Sequence, residues 1–266
     1  MATVISLCNH KGGVAKTTST VNAAYALSKW EKRRVLVIDA DPQGNASMIL
    51  GTVSPYDQPA TLYDLLRDAK KNASDVIQPS KYKNLDLIAC NIEVSALTNE
   101  LGMNDPRRFI GLKSKLDQKA LDSYDLVLID CPPSLDTLFV VNALIVSDFY
   151  VVPIESDSNF ALAGVSAILD MVDSLSRSAG TSIKFLGALM TMHDSRTVAA
   201  KVLSDSIKAF FGRDHVFKTA ITRNTAVARA NLAGVCVGDT EPTSTGAKTY
   251  RAFARELLEK VESYPR

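Results

Sequence analysis

The chain has 266 residues, 46% of them hydrophobic and 22% charged, with a net charge of +1 at neutral pH. That length buries a large core, and the near-neutral balance excludes a bulk polycation or an acidic solvating chain. No apolar run approaches the roughly 18–20 residues that a membrane span requires. Cys8, Cys90, Cys131 and Cys236 are scattered, without a C-x-x-C pair or neighbouring histidines. They read as buried thiols of a reducing compartment rather than as metal ligands or disulfides. His10, His193 and His215 also lack metal-ligand spacing. The start of the chain enters a strand pattern almost at once, leaving no room for a signal peptide, so the expected location is the cytoplasm.

In chain order, residues 3–8 read as a strand that is apolar on both faces. A glycine-containing loop follows, then a helical pattern from Thr20 to Trp30. A second buried strand spans 34–39 and delivers Asp39 and Asp41 to its carboxyl end, before Pro42 and Gly44 force a loop. Residues 52–60 form a surface connection, Thr61 caps a helix from Leu62 to about Lys70, and Ser74 starts a turn. A weaker strand covers Leu85 to Ala89, and helices are predicted over roughly 93–101 and 106–121. Leu126 to Ile129 is a strand ending at Asp130, stopped by Pro132 and Pro133, with a helix from about Leu135 to Val146.

A strand over Phe149–Ile154 and a long helix over about Phe160–Ser178 come next. The chain continues with a strand over Lys184–Met192, a helix over 196–211, a short strand over Val216–Ile221, and a final helix over roughly Gly246–Glu262. Strands that alternate with helices predict an α/β fold, a mostly parallel twisted sheet covered by helices on both faces. No linker or repeat divides it, so residues 1–266 are expected to form one domain.

The chemistry concentrates in His10-Lys11-Gly12-Gly13-Val14-Ala15-Lys16-Thr17-Thr18, between the first strand and the first helix. A strand, a glycine loop and a helix start in that order make a phosphate cradle, because loop N–H groups and the positive end of the helix dipole converge on an anion. Lys16 is placed to reach β- and γ-phosphates, and the Thr17 hydroxyl to ligate Mg²⁺. The strict G-x-x-x-x-G-K-[ST] pattern is not met, since His10 and Ala15 occupy its glycine positions, and a second lysine, Lys11, precedes Lys16 by five residues. Asp130 ends a run of apolar strand residues, so its carboxylate must be solvated, paired or beside a cation. Between Arg177 and Arg229 lie nine basic residues against only Asp194, Asp205 and Asp214. Such a stretch is either a solvated helix face or a patch for phosphate backbones.

The loop resembles the deviant Walker A motif of the ParA/MinD family of ATPases. Val35-Leu36-Val37-Ile38-Asp39-Ala40-Asp41-Pro42-Gln43-Gly44-Asn45 is similar to the family's second signature, and Asp125-Leu126-Val127-Leu128-Ile129-Asp130-Cys131-Pro132-Pro133-Ser134 to its Walker B segment. The signatures fall in family order. The resemblance implies a P-loop NTPase fold that binds ATP and Mg²⁺. Residues 11–18 (Lys11, Gly12, Gly13, Val14, Ala15, Lys16, Thr17 and Thr18) would hold the phosphates, with Lys11 reaching across a homodimer to the partner's nucleotide. Thr17, Asp130 and Asp41 would serve Mg²⁺, and Asp41 would orient the attacking water. Asp39 would assist the metal or hold its loop. Residues 41–47 and 131–137 would act as phosphate-sensitive switches.

Thr222-Arg223-Asn224 is similar to the family's Pro-Arg-Asn loop over the base, with Thr222 in place of the proline; Asn224 would contact the base or simply cap a turn. Arg196 and Arg223 match positions that bear on nonspecific DNA binding in ParA relatives. Where such relatives carry Ser-Glu-Ala-Pro, this chain has Ala228-Arg229-Ala230-Asn231. The resemblance further implies a ParB-like or other cargo-bound activator and association with the nucleoid. Lys260-Val261-Glu262-Ser263-Tyr264-Pro265-Arg266 adds no basic amphipathic helix after the last helical pattern, and no helix-turn-helix precedes the first strand. The expected branch is therefore the Soj-like one acting on DNA, not on membranes. A metal-cluster carrier sharing the deviant loop would need paired cysteines, and an amide-forming synthetase a second substrate pocket.

Overall fold

Seven strands are formed by the apolar runs read above and by one short addition: β1 (Thr3–Leu7), β2 (Val35–Asp39), β3 (Gln78–Pro79), β4 (Leu85–Ile88), β5 (Leu126–Asp130), β6 (Phe149–Glu155) and β7 (Lys184–Thr191). The structure is a computed structural model and describes residues 2–102, 104–116, 118–134, 138–156, 161–194 and 196–264. These strands lie in one sheet in the order β3-β4-β2-β5-β1-β6-β7. Only β3 runs antiparallel to its neighbour; the other pairs are parallel. β1, β2 and β5 occupy the middle, and every residue of β2 and β5 is buried. A strand buried on both faces needs apolar side chains at consecutive positions, which is why these segments read as continuous runs.

Alternate residues feed two cores. Val4, Leu36, Ile38, Val127 and Ile129 pack on one side, while Ile5, Val35, Val37, Leu126 and Leu128 pack on the other. The second side is covered by α1 (Lys16–Lys29), α2 (Asn45–Leu50), α10 (Thr225–Leu232), α11 (Val237–Thr240) and α12 (Thr245–Ser263). The first side is covered by α3 (Leu62–Arg67), α4 (Leu97–Glu100), α5 (Arg107–Lys115), α6 (Gln118–Leu121), α7 (Leu138–Val146), α8 (Ala161–Ala179) and α9 (Val198–Phe211). Fully buried Phe253 and Leu257 of α12 are each stabilised by about 1.5–3 kcal/mol through removal from water. The four cysteines are free and buried. No described helix is long and apolar enough to cross a membrane.

Four predicted elements differ. The helix over 106–121 is two, α5 and α6, and the helix expected to reach Lys70 stops at Arg67. Buried Lys115 accounts for the second, because its ammonium donates to the carbonyls of Asp68, Ala69 and Lys71 at 2.8, 2.8 and 2.6 Å. Those carbonyls are drawn away from any further helical turn by a charge-assisted bond. Residues 93–101 open as a 3₁₀ turn over Ile92–Ala96 capped by Asn91. The strand expected over Val216–Ile221 makes only isolated bridges, Ala188 with Val216 and His193 with Thr222. Its Lys218 and Thr219 N–H groups donate to the Glu256 carboxylate of α12, at 2.6 and 2.9 Å, instead of to a ladder. The predicted helix start at Leu135, part of the switch 131–137, and the start of the helix at Phe160 lie outside the described residues.

The centre of the sheet sets the site. β1 lies between β5 and β6 while the chain moves off to β2, so strand order switches beside the β1–α1 loop, where open α/β sheets bind ligands.

Candidate active site

The loop from Asn9 to Ala15 is shaped by its backbone and held from one flank. Buried Asn9 donates to the Pro153 carbonyl of β6 at 2.7 Å and accepts from the Lys11 N–H at 3.0 Å. The Thr191 hydroxyl of β7 donates to the Val14 carbonyl at 3.1 Å. Gly13 (φ 77°) and Ala15 (φ 63°, ψ 31°) both take the left-handed conformation. Ala15 stands where the strict phosphate-loop pattern has glycine, so the turn persists although its usual residue is missing. An alanine there is strained by about 1–2 kcal/mol, offset by the anchors from β6 and β7.

Lys16 begins α1, 6% exposed, and its ammonium donates to the Lys11 carbonyl at 3.0 Å. A cation at the positive end of a helix dipole is opposed by that dipole. Burial lowers its pKa, while Asp130, Cys131 and Asp41 push it back up. A phosphate-like anion at this loop relieves both conflicts, which a structural lysine would not require.

Asp39 and Asp130 end adjacent strands as register partners, both fully buried. Asp39 accepts from the Ser47 N–H at 2.8 Å, the Ser47 hydroxyl at 2.7 Å and the Asp41 N–H at 3.1 Å. Of its two expected roles, these contacts serve the one of holding its loop. Gly44 starts α2 at φ 65°, where an added Cβ would lie 2.6 Å from the Cys90 carbonyl oxygen. Asp41 is nearly buried and accepts from the Gln43 N–H at 2.9 Å. Asp130 accepts from the Thr20 hydroxyl at 3.3 Å through one oxygen; the other, Oδ2, is buried without a partner.

Burial pushes the Asp39 carboxyl up to about 7, and hydrogen bonds from Ser47 and Asp41 pull against it. Burial also raises Asp130, reinforced by Asp39, with the Thr17 hydroxyl and Lys16 favouring its charged form. Two adjacent carboxyl groups in a dry site must either hold a proton or face a cation. Among the described residues no group of three His, Cys, Asp or Glu closes on a metal. An orphaned carboxylate oxygen beside a phosphate loop instead suits Mg²⁺, which keeps several waters and takes few protein ligands.

A cavity of about 410 Å³ adjoins the loop, lined by Ala15, Thr18, Thr222, Arg223, Asn224 and Asn231 among others. The structure thus brings the predicted Arg223 and Asn224 to the loop. The Asn224 Oδ1 caps α10, accepting from the Ala226 N–H at 2.9 Å. Asn231 was not foreseen; its amide donates to the Thr18 hydroxyl at 3.2 Å, and no motif marks it. Gly246 lets α12 approach, since a Cβ there would lie 2.6 Å from Val227 Cγ2 and 3.1 Å from the Asn224 Oδ1.

Lys11 takes another direction. Its ammonium meets Glu155 at 2.8 Å, and Arg223 lies 3.4 Å from the other oxygen of the same carboxylate. Glu155 also escaped the sequence reading, yet it ends an apolar strand as Asp39 and Asp130 do, and that position was the available signal. Arg196 and Arg223 border one shallow depression of about 260 Å³ with His193, Asp194 and Thr222. Arg196 pairs with Asp194 at 2.7 Å and, by hydrogen bonding, holds that carboxyl well below the usual range. Arg177, Arg223 and Arg229 pair with Asp173, Glu155 and Glu241, acids outside the basic stretch. The local charge excess is therefore smaller in space than along the chain.

With this geometry in hand, likeness to known proteins decides the family. A family model described as an AAA domain matches residues 2–185. The sporulation initiation inhibitor protein Soj of Bacillus subtilis is 36% identical, over 97% of this chain and 98% of Soj. The chain belongs to the ParA/Soj family of ATPases. An uncharacterized protein of Mycobacterium tuberculosis is 40% identical to this Soj-like chain over 97% of it and 79% of that protein. Among solved structures, cobyrinic acid a,c-diamide synthase from Mycobacterium smegmatis, with bound ATP analog and magnesium, matches with a TM-score of 0.82 at 29% identity. That match covers 99% of this chain and 97% of the other. The Soj-like chain thus has the P-loop fold expected of it, and the three signatures meet at one sheet edge.

Proposed function

We propose that this ParA/Soj-family ATPase hydrolyses ATP with Mg²⁺, forms an ATP-dependent homodimer and, in that state, holds DNA without reading its sequence. The observation that carries the reading is the opposite orientation of two lysines on one loop. Lys16 turns inward, 6% exposed, whereas the Lys11 side chain reaches the rim, 41% exposed. An inward lysine serves a nucleotide bound by its own chain, and an outward one serves a nucleotide that a second copy presents. In this reading residues 1–266 act as one domain.

Bound Mg²⁺ offsets phosphate charge. Asp130 and Thr17 supply its protein oxygens with Asp41 beside them, and Asp39 fixes the loop that carries Asp41. Asp41 orients the attacking water, Lys16 stabilises charge on the transferred phosphoryl group, and Lys11 adds a cation from the twin as an arginine finger does. Loop N–H groups of residues 12–18 cradle the phosphates, while Arg223 and Asn224 border the base. Arg196 and Arg223 meet DNA phosphates, and a ParB-like or other cargo-bound activator speeds hydrolysis. The site of action is the nucleoid in the cytoplasm.

A second reading, an ATP-dependent amide-forming enzyme, draws on the likeness to cobyrinic acid a,c-diamide synthase. Soj, matched over 98% of its length at higher identity, favours the first. Measuring phosphate release with and without DNA tests the proposal. DNA-stimulated or basal turnover supports it, and no turnover under either condition removes it.

A further inference from the structure

Glu155 ends β6 beside Thr191 of β7, and its two carboxylate oxygens face different cations. One accepts from Lys11 of the phosphate loop at 2.8 Å; the other lies 3.4 Å from Arg223, which borders the adjoining cavity. One carboxylate therefore spans the mouth of the candidate nucleotide site. The Lys11 side chain is partly exposed and Glu155 less so, 41% against 21%. A rim ion pair of this kind orients a side chain yet yields to a stronger anion. The loop backbone has separate supports in Asn9 and Thr191. Loss of the Glu155 contact would leave the cradle standing.

We propose that Glu155 is a positioning residue that parks Lys11 within its own protomer until a nucleotide-loaded twin offers a stronger anion. This rests on the reading above that Lys11 acts across a dimer interface. A triphosphate carries several charges where the carboxylate carries one, so the balance of attraction reverses only when the second copy arrives loaded. Arg223 shares the carboxylate, so Glu155 keeps a cation after Lys11 departs. That sharing keeps the pair easy to break.

Sedimentation of the full chain and of its Glu155→Gln variant, each with a nonhydrolysable ATP analogue and Mg²⁺, tests this. The substitution keeps the shape and removes the charge. At about 50 mM salt the variant is expected to dimerise at about fivefold lower protein concentration, the scale of two exposed ion pairs, one released by each protomer. Near 500 mM, where the screening length falls to about 4 Å, the gap between the two curves should narrow. Both chains should unfold at the same temperature. A threshold that is unchanged or raised in the variant, while the parent dimerises, overturns the parking role alone. A gap that does not narrow at high salt, or a variant that unfolds much earlier, overturns it as well, because either marks a structural role. A parent that stays monomeric with the analogue removes the cross-subunit reading and this inference with it.

Discussion

At the centre of the sheet, Lys16, Asp39, Asp41 and Asp130 are buried and answer to one another through strand register and backbone hydrogen bonds. At the β6–β7 end, Arg196, Arg223 and Arg229 are exposed, and each leans on an acid, Asp194, Glu155 or Glu241. Buried charges lack water as a partner, so their mutual positions are demanding and a change in one is felt by all. Exposed pairs are exchangeable: water and salt screen each of them, so it can be traded for a ligand. Burial suits the centre to a fixed geometry, and exposure suits the rim to an exchange of partners.

Substitutions should separate the two regions by size of effect. Lys16→Ala removes a buried cation facing buried carboxylates, and ATP affinity is expected to fall by more than about 100-fold by calorimetric titration. Asp41→Ala should lower hydrolysis by about 100-fold or more while ATP binding persists. On a sizing column with ATP the Asp41→Ala chain should run as a dimer, and a persistent monomer would count against the model. Arg196→Glu at the rim should weaken DNA retention only several-fold and reduce its salt slope by about 1, with ATP affinity unchanged. Unchanged gel shifts would take DNA away from this residue. Arg223→Glu, which also borders the cavity, should alter both.

The centre should also show itself in pH. The Asp39 carboxyl titrates near 7 when folded, against about 3.9 in an unfolded chain. The folded state thus holds the proton more tightly. The resulting stability is fully present below about pH 4 and is lost as pH rises through 7. Thermal unfolding of nucleotide-free Asp39→Asn should show a flatter dependence across that window than the parent, and an equally steep one would move the buried proton elsewhere. The smallest effect belongs to the loop backbone. Ala15→Gly relieves the left-handed strain and should raise the unfolding temperature by roughly 2–4 °C, since about 1 kcal/mol is at stake in a chain of this size. A lower temperature would mean that the turn is not strained.

Much of the centre was legible beforehand, because local rules and the global fold agree there. β2 and β5 are uninterrupted apolar runs ending in aspartates, and the Lys11–Thr18 loop marks its own strand–helix junction. The rim was less legible. Glu155 carries no motif, and its partners lie 144 and 68 residues away along the chain. Lys115 offers the same lesson away from the site: its bonds to three carbonyls 44 to 47 residues distant accompany the end of a helix, α3, that propensity alone would have extended.

The amino-acid order by itself determined the α/β class, the place of the phosphate loop and the carboxylates at the strand ends, because periodicity, glycine and strand-terminal charge act over a few residues. Tertiary structure alone decided which charged groups meet: Asp39 beside Asp130, Lys11 on Glu155, Arg229 on Glu241. Charges interact by distance in space, and the pairing of β2 with β5 and of β1 with β6 brings together residues that lie far apart in the chain.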